Sequence, residues 1–92
     1  MKNILQDEKE CFISKSTTGL HLHHIYGGPN RRISDQNGFT VWLRADWHNM
    51  SDYGVHFNPK LDLYLKKLCQ KKYESMGYSR EEFMSLIGRN YL

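Results

Sequence analysis

Apolar residues recur along the chain with two different periods. From Leu20 to Ile25 they alternate with polar ones, Leu20-His21-Leu22-His23-His24-Ile25, and they do so again from Phe39 to Leu43. A repeat of two is that of a β-strand. In the first strand it sends Leu20, Leu22 and His24 to one face and His21, His23 and Ile25 to the other. The turn residues Asp35-Gln36-Asn37-Gly38 precede the second run, which is expected to return beside the first as a hairpin. The connection Tyr26-Gly27-Gly28-Pro29-Asn30-Arg31-Arg32 holds two glycines and a proline and reads as an irregular loop that exposes both arginines. From Arg44 to Asp52 the alternation is lost, which predicts a short helix with His48 and Asp52 one turn apart on a common face. Asn58 as cap and Pro59 at the first helical position open a longer helix. Its apolar side is read as Leu61, Tyr64, Leu65, Leu68 and Met76, and its other side as Lys66, Lys67, Lys71 and Lys72. Gly77 stops it, and Ser79 with Glu82 makes a capping box for a last helix carrying Phe83, Leu86 and Ile87. Residues 1–10 read as a flexible arm or a short helix. Together these elements give an α+β fold in one domain, residues 1–92: a hairpin, a short helix and two C-terminal helices.

Composition narrows what such a domain needs. With 92 residues, 39% of them hydrophobic, it can bury one modest core, and chains of this size commonly rely on a metal, a disulfide or a partner. Cys11 and Cys69 are too few for a disulfide framework, and the opening residues are too short and polar for a secretory signal, so a reducing cytoplasm is expected. No run of eighteen apolar residues exists to span a bilayer. A formal charge of +3 and a pI near 8.9 suit a nucleic-acid or nucleoprotein partner without requiring one. The basic excess is local: Arg31 and Arg32 on the loop, and Lys66, Lys67 and Lys71 on the long helix, are the candidate partner or phosphate contacts. A lysine row of that kind is also what an ordinary solvated helix face looks like.

All five histidines fall between His21 and His56. Imidazole serves both as a metal ligand and as a general base near neutral pH, and the adjacent His23 and His24, on opposite strand faces, can divide those roles.

A strand with paired histidines, a loop asparagine, a returning strand and a short helix with a histidine resemble the HNH, or ββα-metal (His-Me finger), nuclease family. The closer likeness is to small HNH-like proteins of phages and prophages. It rests on Leu20 to Ile25, Asn30-Arg31-Arg32, His48-Asn49-Met50-Ser51, Gly54-Val55-His56-Phe57-Asn58 and Gly88-Arg89-Asn90-Tyr91-Leu92, and it runs from Cys11 to Leu92. The resemblance implies a ββα-metal hairpin and helix, with His23 and His48 as metal ligands, Asp52 or His56 completing the shell, His24 as general base and Asn30 orienting that base. Three protein ligands would leave a position for water or phosphate, whereas four would mark a structural zinc. Zinc is the metal expected first, with nickel, manganese or magnesium as alternatives. The chain departs from relatives that carry a second, structural metal between cysteine pairs: Cys11 is followed three residues later by Ser14, and Arg44 and Trp47 stand where further ligands would lie. The function implied is a non-catalytic, metal-binding inhibitor of a host CRISPR effector protein such as Cas9, an anti-CRISPR acting in the bacterial cytoplasm. The alternative is a metal-dependent endonuclease cutting DNA.

Overall fold

The structure, a computed structural model, describes residues 3–92. Two strands, β1 (Leu20–His24) and β2 (Thr40–Arg44), form an antiparallel pair in which His21 lies opposite Leu43, His23 opposite Val41 and His24 opposite Thr40. With four helices among the described residues around this sheet, the architecture is α+β. The alternation read from the sequence holds, because His21, His23 and Ile25 share a face with Val41 and Leu43. That face carries the core: Ile25, Tyr26, Phe39, Val41 and Leu43 pack with Leu65, Cys69, Phe83 and Ile87, all buried.

The connection between the strands is not an irregular loop. Pro29 sits in a 3-10 turn, Gly28–Asn30, that runs straight into α1 (Arg31–Asn37), so Arg31 and Arg32 occupy the first turn of a helix. The expected turn at Asp35–Gly38 is the end of this helix, which Gly38 terminates in the left-handed conformation with φ of 71°. Tertiary contacts hold α1 in place of an apolar repeat. The buried Ser34 hydroxyl accepts from the Tyr26 amide at 3.1 Å and donates to the Tyr26 carbonyl at 2.8 Å.

The helix after β2 is also shorter than expected. α2 (Ala45–His48) ends at His48 itself, so the one-turn spacing of His48 and Asp52 does not form, and Asp52 lies exposed in the following turns. Those turns are clamped from within. The Arg44 guanidinium forks onto the Asp46 carboxylate at 2.6 and 2.8 Å, and the Tyr53 hydroxyl donates to the same carboxylate at 2.6 Å. The Arg44 and Tyr53 donors hold the Asp46 carboxyl far below the usual carboxylate range. A second 3-10 turn, Val55–Phe57, carries His56.

α3 (Pro59–Ser75) begins as expected, the Asn58 side chain accepting from the Leu61 amide at 3.2 Å. Its inward face differs from the one read: Leu65, Cys69, Gln70 and Tyr73 are buried, whereas Tyr64 and Met76 are exposed. Steps of four, Leu61-Leu65-Cys69-Tyr73, define the seam. α4 (Arg80–Ile87) has the full Ser79/Glu82 capping box and ends on Gly88. Gln70 ties the C-terminal tail to α3, donating to Asn90 Oδ1 and accepting from the Tyr91 amide, both at 2.8 Å. Cys11 and Cys69 are both free and buried.

The described part of the N-terminal segment, residues 3–10, is docked and contains no helix. The Ile4 amide donates to the Gly38 carbonyl at 3.0 Å, Gln6 Oε1 accepts from the Trp42 amide at 2.8 Å, and Ile4 and Leu5 pack on the core. It covers the outer edge of β2, which an unpaired strand needs. Met1 and Lys2 of the expected arm lie outside the described residues. Among those residues no helix is long and apolar enough to cross a membrane.

Candidate metal centre

Three elements converge on one point. β1 supplies His23, α2 supplies His48 and the second 3-10 turn supplies His56, and one ring nitrogen from each lies within 4.8 Å of the others. Three histidines are therefore close enough to hold a metal ion. The rings stand edge to face, with centroids 5.3 Å apart for His23 and His48, 5.3 Å for His23 and His56, and 4.5 Å for His48 and His56. Nε2 of His48 faces Nε2 of His56 at 2.9 Å. Two nitrogens on a tetrahedral zinc are about 3.3 Å apart, given bonds of about 2.0–2.1 Å, so the His48–His56 pair lies near that spacing.

The local electrostatics favour ligation. Nε2 of His23 is buried and has no hydrogen-bond partner among the described residues, a state that costs about 1–3 kcal/mol unless something takes its lone pair or proton. Burial, reinforced by His48 and His56, pushes its pKa down to about 3. Burial and the neighbouring His56 and His21 push His48 down to about 4. Both rings are thus neutral at pH 7 with a lone pair to offer. A donor set of imidazoles alone suits zinc or nickel and argues against magnesium, which prefers oxygen.

The other predicted site residues separate. Asp52 is not in the convergent group, so His56 is the third member. His24, on the opposite strand face, points to α1, where its Nε2 meets Asp35 Oδ1 at 3.2 Å. Asn30 is turned away from it, its side-chain amide donating to the Ile87 carbonyl at 2.9 Å, so it joins the first 3-10 turn to α4 and does not orient His24. The two strand faces meet at the end of β1. A cleft of about 520 Å³ is lined by His23, His24, His56, Phe57, Gly27, Gly28 and Lys66 among others. A second groove beside it holds His24, Arg31, Arg32 and Asp35. Lys66 therefore reaches the site, paired at 2.8 Å with Asp62, whereas Lys67 and Lys71 are exposed on α3 and do not line that cleft.

Two residues escaped sequence reading. His21 shares the face of His23, and its Nδ1 lies 3.1 Å from Nδ1 of His48. The alternation already placed it there, so that signal was available. Asp35 looked like a turn residue, and only the helical course of α1 brings it to His24. No protein-family model, curated protein or solved structure matches the chain.

Proposed function

We propose that the chain is a zinc- or nickel-dependent phosphodiesterase of the HNH-like, ββα-metal type, acting on DNA. The observation that carries this reading is the group of three imidazoles, a donor set that would leave a coordination position free, with a fourth imidazole, His24, lining the same groove and meeting the Asp35 carboxylate. A cation held by His23, His48 and His56 would supply positive charge where negative charge builds up on the phosphate. His24 takes one proton from the attacking water as the hydroxyl oxygen bonds to phosphorus. One P–O ester bond breaks, its electron pair stays with the leaving oxygen, and that oxygen takes up a proton. Asp35 accepts from Nε2 of His24 and so leaves Nδ1 as the basic nitrogen. Arg31 and Arg32 line the groove on one side of His24 and Lys66 the cleft on the other, and these cations would bind flanking phosphates.

A second reading, the non-catalytic inhibitor of a CRISPR effector, draws on Leu22 and Phe57. Both are exposed apolar side chains at the edge of the histidine clefts, where a protein partner could cover them. One pair of assays separates the two. Plasmid DNA incubated with the protein and divalent zinc, nickel or manganese should be cut, and His24→Ala should slow cutting by about 10²- to 10⁴-fold while DNA binding is kept. Plasmid left intact under every metal, together with blocked cleavage by an added CRISPR effector, would replace the nuclease with the inhibitor.

A further inference from the structure

His21 stands on the same face of β1 as His23, and its Nδ1 lies 3.1 Å from Nδ1 of His48, the rings edge to face at 5.2 Å. The other nitrogen of His48, Nε2, is the one that faces His56 within the ligating group. A neutral imidazole carries a single N–H. For Nε2 of His48 to offer its lone pair to a cation, the proton must sit on Nδ1, and the acceptor it faces there is Nδ1 of His21. His21 must then hold its own proton on Nε2, and with its Nδ1 lone pair engaged it is not a fourth ligand.

We infer that His21 is a positioning residue for the metal centre: it fixes His48 as the Nδ1–H tautomer and aims Nε2 of His48 at the ion. This rests on the reading that the three histidines hold a metal. Metal-bound histidines generally donate their second N–H to a carboxylate or a carbonyl, and here a further imidazole takes that place.

The test is zinc titration of the metal-stripped full chain against a competing chromophoric chelator, combined with ¹⁵N-detected NMR of the imidazole nitrogens. His21→Ala should lower zinc affinity about 10- to 100-fold. His21→Asn, whose Oδ1 can occupy the place of Nδ1 as an acceptor, should recover most of that loss. Nδ1 of His48 should be protonated in the zinc-loaded wild-type chain, a readout that holds even if His21→Ala fails to fold. Unchanged affinity in His21→Ala, equal losses in His21→Ala and His21→Asn, or an unprotonated Nδ1 of His48 would each overturn the inference. A wild-type chain that takes up no zinc would instead remove the metal reading on which it stands.

Discussion

His23 concentrates the conflict between stability and binding in a single side chain. Its Nε2 is buried without a partner among the described residues, so in metal-free protein it is a net cost, and only a bound ion would recover it. His23→Leu, similar in volume and apolar, should therefore raise the stability of the chelated protein by about 1 kcal/mol while abolishing metal uptake. Denaturant melts in chelator check the first half and metal analysis the second, and a destabilised variant would mean that the ring has a partner after all. The same burial sets a pH dependence. His23 has a folded pKa of about 3 against an ordinary value of 6.5, so between those limits the unfolded chain binds a proton that the folded chain does not. Stability of the metal-free protein should be fully present above pH 6.5. It should fall as pH drops towards 3, by on the order of 1 kcal/mol per pH unit, with His48 adding in the same direction. A flat denaturation midpoint from pH 7 to pH 4 would contradict it.

At the scale of elements, the position of His56 depends on how the chain turns after α2. Gly54 makes that turn possible: a Cβ there would lie 2.8 Å from the Asp46 carbonyl oxygen and 2.9 Å from that of His48, both backbone atoms that cannot step aside cheaply. Tyr53, against Trp47 at 4.8 Å and bonded to Asp46, closes the turn from the other side. Gly54→Ala should displace the segment between His48 and His56, costing about 1–3 kcal/mol in a urea melt and weakening metal binding at the same time. Loss of stability with metal affinity intact would show that His56 reaches its place independently of this turn. The contrast with α4 is instructive. Its capping box is complete within the sequence from Ser79 to Glu82, whereas α2 has no side-chain cap at its N-terminus and owes its form to β2 and to the Arg44–Asp46 clamp.

At the scale of the molecule, the sheet of the described residues has two strands, and its histidine-bearing face is completed by α2 and the 3-10 turn, each of four residues or fewer. Such short pieces have little helical stability of their own. A metal that ties them to β1 should stabilise the fold as a unit. At a free zinc concentration about 100 times Kd the gain is about 2.7 kcal/mol, which for a domain of this size corresponds to a Tm rise of roughly 10–20 °C. Calorimetry with and without chelator measures it directly, and identical melting curves would sink the idea.

Local periodicity and capping determined a good deal by themselves. The alternation from Leu20 to Ile25 put His23 and His24 on opposite strand faces, Asn58-Pro59 started α3, and Ser79 with Glu82 started α4, since each of these depends on neighbours a few residues away. Tertiary structure decided the rest. Arg31 to Asn37 has one apolar residue, Ile33, and becomes a helix through the Ser34 bonds to Tyr26, which no periodicity encodes. The choice of His56 over Asp52 turned on whether α2 continued past His48, and the clamp on Asp46 ends it there. Asn30 met the α4 carbonyl of Ile87, and Asp35 met His24, because α1 and α4 dock where they do. Strand and cap signals are written in contiguous residues, but a site assembled from β1, α2 and a 3-10 turn exists only once the chain has reversed twice and packed, which is why its members could be named from the sequence but not counted.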